Sequence, residues 1–257
     1  MSILKLEEII GSKHYSISSG QENILQLRKL EIRLYDFLAF KINENVPEET
    51  RKSAGNLLYE YCKENSIVIS TDNMDYDIPI VSFLEESGFN IKYIKIIYEK
   101  DLRQHQYQYE DIFGYISLEE TGLKHFMRVF EKTADVGIEK DVSPYEYFNV
   151  IIDYAGDKYN PANYQVVIHN GKEIGVIMPQ VYPDNNKEGT IIHMGVVPEE
   201  RNKGYGKIMH SKSLEILKNQ GVEKYIGSTN ANNKSMIRLF EINGCSEWFK
   251  RKFYCTG

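Results

Sequence analysis

The chain has 257 residues, which is long enough for one large domain or two small ones. Hydrophobic residues make up 42% of the chain and charged residues 26%, which is ordinary for a globular protein. The formal net charge of −6 argues against a general nucleic-acid binder, because such a protein needs a basic surface to neutralise phosphates.

The three cysteines limit the redox and metal chemistry that the chain can have. Cys62, Cys245 and Cys255 form no metal-ligand spacing, so we expect free thiols and no metal site. The first residues lack the pattern of a signal peptide, and no apolar stretch has the length that a bilayer span needs. We therefore expect a cytoplasmic protein without a membrane partner.

Two segments of the N-terminal half resemble two later segments in the same order. Val46–Asn65 resembles Val197–Gln220, and Ser70–Glu99 resembles Ser228–Tyr254. Order plus two matches favours an internal duplication, whereas the alternative is a chance likeness between amphipathic helices that precede short strands.

A polar stretch near Leu102–Tyr109 separates the two halves. We place the domain boundary there, which gives an N-terminal domain at residues 1–105 and a second domain at residues 106–257. The first copy lacks the glycines found in the second, because it has Arg51-Lys-Ser-Ala-Gly-Asn where the second has Arg201-Asn-Lys-Gly-Tyr-Gly.

The second half begins with two predicted helices and continues with strands. Helical spacing of apolar residues predicts helices over about Ser117–Val136 and over Ser143–Tyr154, the latter with Ser143 as its N-cap. Asn170-Gly171 joins two β-rich runs and is a strong hairpin signal. Thr190–Val197 is predicted to be the third strand of this meander.

Strands and helices alternate after the meander. The pattern predicts a helix over Gly204–Gln220, a strand over Lys224–Thr229, a helix over Lys234–Ile242 and a strand over Ser246–Tyr254. A meander followed by strand–helix–strand units implies an α/β (α+β) fold, with a mixed sheet and helices on both faces.

The stretch "VVPEERNKGYGKIM" has the composition of an anion site at the start of a helix. The first amides of a helix have no intrahelical partner, and its dipole places partial positive charge there. Gly204 and Gly206 let the backbone approach a phosphate, and Arg201 and Lys203 add charge. Neither the P-loop pattern nor the dinucleotide fingerprint fits, which leaves R-x-x-G-x-G after a strand.

This pattern resembles the acetyl-CoA site of the GNAT superfamily of N-acetyltransferases. Arg201, Gly204 and Gly206 match its [QR]-x-x-G-x-[GA] hexapeptide, and the later segment with Asn233 and Phe240 matches in context. The resemblance covers about Ile116–Tyr254. It implies a GNAT-like, mostly antiparallel mixed sheet, in tandem if the N-terminal half is a degenerate copy.

The resemblance also implies a set of cofactor-binding residues. Backbone groups along the end of the third meander strand would run beside the pantetheine arm, the glycine turn would hold the pyrophosphate, and Asn233 would contact the cofactor arm. The complete set is Met194, Gly195, Val196, Arg201, Asn202, Lys203, Gly204, Tyr205, Gly206, Lys207 and Asn233.

No catalytic residue can be assigned from the sequence. Many family members carry a tyrosine acid where this chain has Phe240, and a phenyl ring cannot donate a proton. By strict alternation Thr190 and Ile192 share the substrate face of their strand, and His193 is expected on the opposite face. Glu188 lies in the adjoining turn, where a carboxylate is usually only solvated.

Two functions follow from the resemblance. The first is an N-acetyltransferase that transfers the acetyl group of acetyl-CoA to a primary amine of a small molecule or a peptide. The second is a non-catalytic acyl-CoA-binding or interaction module, which Phe240 and the eroded first half favour.

Overall fold

The computed structural model describes residues 4–9, 14–29, 36–71, 78–110, 112–134 and 142–257. These residues divide into two compact units, each of which is described by itself below. The first unit comprises Met1–Ile97, Ser228–Asn233 and Trp248–Gly257, and the second comprises Tyr98–Gly227 and Lys234–Glu247.

The first unit is a meander followed by strand–helix–strand turns. Its elements are β1 (Leu4–Glu8), β2 (His14–Ser19), β3 (Glu22–Lys29), β4 (Asp36–Ile42), α1 (Glu48–Asn65), β5 (Val68–Thr71), α2 (Ile78–Glu86) and the first part of β6 (Asn90–Asp101). β1 to β4 pair antiparallel in order, and β4 pairs parallel with β5 through the crossover helix α1. Most of β12 (Ser246–Cys255) also lies in this unit, where it pairs antiparallel with β5.

The second unit repeats this plan with more helices. Its elements are β7 (Gly114–Ser117), α3 (Leu118–Thr121), α4 (Leu123–Thr133), α5 (Pro144–Ala155), β8 (Gln165–His169), β9 (Lys172–Val181), β10 (Glu188–Val196), α6 (Tyr205–Asn219), the first part of β11 (Lys224–Asn230) and α7 (Lys234–Ile242). β7 to β10 pair antiparallel in order, and β10 pairs parallel with β11.

Helices cover both faces of the second sheet, as the sequence predicts. One apolar cluster contains α4 and α5 residues with Val166 and Val176, and a second contains α6 residues with Val167 and Ile177. Neighbouring residues on β8 and on β9 therefore point to opposite clusters, as alternation along a strand requires. The predicted fold class is confirmed.

Local signals in the sequence account for most element boundaries. Asn170 and Gly171 both have positive φ angles, 48° and 73°, as the tight hairpin between β8 and β9 requires. Ser143 caps α5 and Glu146 reciprocates, which completes a capping box. The helix predicted over Ser117–Val136 is divided, because Gly122 adopts a φ of 74° between α3 and α4, and residues 135 and 136 lie outside the described residues.

The two halves of the sequence share one order of elements. β4, α1, β5, α2 and β6 follow one another as β10, α6, β11, α7 and β12 do, which favours the duplication inferred from the sequence. The units are defined by contacts and not by chain order, so the division at residue 105 stays a prediction about the two sequence copies.

Gly175 provides a test of how closely β9 and β10 approach. A Cβ atom at Gly175 would overlap the carbonyl oxygen of Gly195, whereas a Cβ at Gly114 would meet only Ile168 Cβ at 3.5 Å. We expect Gly175→Ala to lower the free energy of unfolding by about 1–3 kcal/mol, because backbone must move. Gly114→Ala is the control and should stay within about 0.5 kcal/mol of the parent in denaturant unfolding; equal effects would contradict this packing.

Candidate functional site

The parallel pairing of β10 with β11 ends almost as soon as it begins. Its register comprises only Glu188 opposite Lys224 and Gly189 opposite Tyr225. On the other side, β10 remains paired with β9 as far as Val196, opposite Gly175. The backbone groups of β10 beyond Gly189 that face β11 are therefore outside this ladder, and such groups need other hydrogen-bond partners.

A β-bulge at Ile192 sets which face each later residue of β10 occupies. The register against β9 shifts between Ile191 and His193, so Ile192 is an extra residue in the strand. Ile192 packs against the α4 and α5 cluster, and His193 lies 4.7 Å from the ring of Phe130 in that same cluster. The expectation that His193 faces away from Ile192 is wrong, because the bulge interrupts the alternation on which it depended.

His193 is a buried, neutral hydrogen-bond donor. The Thr133 hydroxyl donates its only proton to the carbonyl oxygen of Phe130 at 2.8 Å, so it can only accept from His193 Nε2, 3.0 Å away. The His193 proton is thus on Nε2. Burial lowers the pKa of His193 to about 4, and the imidazole is neutral at pH 7.

A short loop connects β10 to α6 and contains the glycine turn. Pro198–Glu200 forms one 3-10 turn, and Arg201 Nε donates a hydrogen bond of 3.0 Å to the carbonyl oxygen of Val196. Asn202 and Gly204 both have positive φ angles, 63° and 81°. This backbone reversal directs the chain into α6, and the arginine fastens the loop to the end of the strand.

The first turn of α6 lacks the side-chain cap that α3 and α5 have. Ser117 and Ser143 cap α3 and α5 through complete capping boxes. In the described part of the chain, no side chain caps α6, whose N-cap residue is Gly204. The first amides of α6 therefore remain available to an external acceptor, and the helix dipole adds partial positive charge at the same place.

Most residues of the predicted cofactor set lie together at this strand end, loop and helix start, within the second unit. Met194 and Val196 pack on the α6 side of the sheet, and Tyr205 packs edge-on against Phe113 at 5.4 Å. Lys203 forms an ion pair of 2.7 Å with Glu200. Asn233 belongs to the segment Ser228–Asn233 of the first unit.

The comparison with protein families agrees with this geometry. Residues 125–244 match the model of the acetyltransferase (GNAT) family. This part of the chain, a little under half of it, is a GNAT acetyltransferase domain. A search of curated proteins found no match.

Solved structures with the GNAT fold resemble nearly the whole chain. A GCN5-related N-acetyltransferase from Sphaerobacter thermophilus gives a TM-score of 0.68 at 11% identity, over 96% of this chain and 81% of that one. A GNAT-family acetyltransferase from Colwellia psychrerythraea gives 0.61 at 12% identity, over 95% and 84%. A tandem GNAT protein from the clavulanic acid biosynthesis pathway gives 0.60 at 12% identity, over 94% and 81%. Sequence identities this low show a shared fold and do not indicate the substrate.

Phe240 lies in the aromatic core of the GNAT domain. The side chain is 1% exposed and stacks on Tyr98 with ring centroids 4.5 Å apart. His210 meets the same ring edge-on at 5.4 Å. Phe240 itself offers no proton, so it cannot act as the acid that many family members have at this position.

A buried polar network beside Phe240 was not anticipated from the sequence. His210 Nε2 lies 3.3 Å from the Tyr225 hydroxyl, and His210 Nδ1 lies 3.1 Å from Asn243 Nδ2. Asn243 Nδ2 also donates to the carbonyl oxygen of Lys207 at 3.1 Å, and Tyr109 donates to Asn243 Oδ1. Only tertiary contact joins these residues, because they come from four separate segments of the chain: α6, β11 and the irregular stretches that contain Tyr109 and Asn243.

The helix of the first unit that corresponds to α6 starts differently. α1 begins at Glu48 directly after Pro47, and Glu48 and Glu49 occupy its first turn. Residues 43–47 connect β4 to α1 without a counterpart of the glycine turn at Asn202–Gly204, and two carboxylates at a helix start repel a phosphate. The eroded glycines of the first copy therefore coincide with a helix start that is unsuited to an anion.

His193 allows a prediction about stability and pH. Its pKa is about 4 in the folded protein against 6.5 for the free side chain, so the unfolded chain takes up the proton first as pH falls. The histidine thus contributes a loss of stability between about pH 6.5 and 4, of up to about 1.4 kcal/mol per pH unit. In His193→Phe, where Thr133 keeps its bond to Phe130, the slope of unfolding free energy against pH should decrease over this range. An unchanged slope in denaturant titrations would disprove the assignment.

Proposed function

We propose that the protein is an acetyl-CoA-dependent N-acetyltransferase that transfers an acetyl group to a primary amine of a small molecule or a peptide. The observation that carries the proposal is the uncapped start of α6, located where β10 has left its ladder with β11. The GNAT family match adds acyl transfer as the general chemistry.

The residues at the start of α6 fit a pyrophosphate. A Cβ atom at Gly204 would meet only Lys207 Cε, at 3.9 Å, so the space beside this backbone is open. The positive φ of Gly204 turns the following amides outward at the positive end of the helix. We propose that the amides of Asn202–Lys207 hold the pyrophosphate, with charge from Lys203 and Lys207.

The end of β10 fits the pantetheine arm. Met194, Gly195 and Val196 lie beyond the last residue pair that β10 shares with β11. Those of their backbone groups that face away from β9 can therefore bond to the amides of an extended ligand as a strand bonds to its neighbour. We propose that Asn233 contacts the cofactor arm, as the family resemblance implies.

The chain contributes to the reaction by position and by charge. Acetyl-CoA supplies the thioester that the amine attacks. The strand and the helix start would hold the cofactor so that its thioester meets the amine in a fixed position, and such positioning accounts for much of the rate gain in two-substrate reactions. Neutral donors in a low-dielectric site stabilise the negative charge that develops on the carbonyl oxygen.

A second candidate function is a non-catalytic acyl-CoA-binding or interaction module. The burial of Phe240, where many family members carry a tyrosine acid, favours this alternative. Both functions use the same cofactor site and differ only in turnover.

Calorimetry and a turnover assay separate the two functions. We expect acetyl-CoA to bind with one site per chain, because α1 lacks the glycine loop and has carboxylates at its start. A thiol-release assay over a panel of primary amines should then show CoA release above background. Binding without release on any amine favours the module, and no binding of acetyl-CoA refutes both. Two sites per chain would show that residues 1–105 are not the degenerate copy that we propose.

Gly204→Glu tests the location of the pyrophosphate. The carboxylate would enter the phosphate position, so acetyl-CoA affinity should fall by at least 100-fold, about 2.7 kcal/mol or more. Gly122→Glu is the matched control, because Gly122 also has a positive φ at a helix start and open space around it. The control should bind normally and have comparable stability. Equal affinities in both variants would rule out this location.

A further inference from the structure

The hydroxyl of Tyr225 lies beside the part of β11 that has separated from β10. Tyr225 belongs to the last residue pair of that ladder, opposite Gly189. Its side chain leans along the strand, so that the hydroxyl occupies the space that a Cβ atom at Gly227 would take. The ring is 1% exposed and packs near Phe240. A proton donor is therefore buried next to the opening between the strands.

The hydrogen-bond network leaves the Tyr225 proton unused. Asn243 Nδ2 can only donate, so His210 Nδ1 accepts from it at 3.1 Å and the imidazole proton is on Nε2. His210 Nε2 then donates to the Tyr225 oxygen at 3.3 Å. The phenolic proton is not needed for this bond and can be given to another acceptor.

The surroundings keep His210 in this tautomer. Burial, followed by the charges of His105 and Lys100, lowers the pKa of His210 to about 3, so the ring stays neutral. Lys100 Nζ donates to the carbonyl oxygen of Asn243 at 2.6 Å and helps to fix the residue that orients the imidazole. His210 and Asn243 are thus positioning residues for the phenol.

We propose that Tyr225 is the acid that protonates the sulfur of departing CoA. This inference rests on the proposed N-acetyltransferase function. Tyr225 lies on the α6 side of the sheet, as Met194 and Val196 do. It pairs with Gly189, where a Cβ atom would meet Leu217 of α6, and paired residues of neighbouring strands share one face. Phe240 fills the space beside the phenol and offers no competing donor.

The step is balanced in atoms and charge. The amine nitrogen forms a bond to the thioester carbonyl carbon, the carbon–sulfur bond breaks, and the sulfur leaves with the bonding pair. The sulfur takes the phenolic proton of Tyr225. Burial raises the pKa of this phenol well above its ordinary value, and the hydrogen bond from His210 Nε2–H offsets this by stabilising the resulting phenolate. The protonated nitrogen of the product loses its proton to water, and water returns one to Tyr225.

Proton release on binding of free CoA tests the contact without turnover. A hydroxyl donating to the bound sulfur favours the thiolate, so CoA binding near pH 7.5 should release protons, which calorimetry in two buffers of different ionisation enthalpy measures. In Tyr225→Phe the release should fall at least twofold. Tyr164→Phe is the control: Tyr164 is equally buried and its hydroxyl donates to Gln180 Oε1 at 2.6 Å, but it lies in the other cluster.

Turnover gives the second measurement. Tyr225→Phe should lower kcat by about 100-fold with little change in acetyl-CoA affinity, and Tyr164→Phe should not. Unchanged proton release in Tyr225→Phe, or absence of release in the parent protein, overturns the inference even if acetyl transfer is observed. A parent that binds CoA with Tyr225-dependent proton release but transfers no acetyl group refutes the proposed function and retains the sulfur contact.

Discussion

The proposed acetyl-CoA site of the second unit depends on the early end of the β10–β11 ladder. Two residue pairs hold these strands together, while β9 keeps β10 in register as far as Val196. A strand fixed along one edge and released along the other presents backbone donors and acceptors at a defined spacing. A β-bulge such as the one at Ile192 increases the local twist of its strand. This twist is compatible with β10 ending its pairing with β11 while it stays paired with β9.

The strand end and the helix start are coupled through one side chain. Arg201 reaches back to the carbonyl oxygen of Val196, so the loop that leads into α6 is fixed to the last residue of β10. The two parts of the proposed acetyl-CoA site therefore have one common reference point. A change in the register of β10 would shift the strand edge and the uncapped amides of α6 together.

Local chemistry made most of the fold predictable. Asn170-Gly171 and Ser143 act within a few residues of themselves, so the hairpin and the start of α5 follow from the sequence. The bulge at Ile192 depends on pairing with β9, which no local pattern reveals, and the predicted face of His193 was therefore wrong. The helical spacing of apolar residues alone also did not reveal the break at Gly122, because this spacing continues across the glycine.

The candidate site, like the fold, was predictable from the sequence only where its residues are contiguous. The glycine turn could be predicted because its residues are contiguous, and the assignment of its residues to acetyl-CoA stays a prediction. The network around Tyr225 could not, because Tyr225, His210 and Asn243 converge only after β11, α6 and α7 have packed.

The two buried histidines of the GNAT domain illustrate how partners decide the chemistry of a titratable group. Thr133 can only accept from His193, and Asn243 can only donate to His210, yet both arrangements place the proton on Nε2. Burial keeps both rings neutral, so each serves as a hydrogen-bond donor and neither as a charged group. His193 donates its proton to the hydroxyl of Thr133, which has a structural role. His210 donates its proton to the Tyr225 oxygen, so the phenolic proton stays available where β11 has separated from β10.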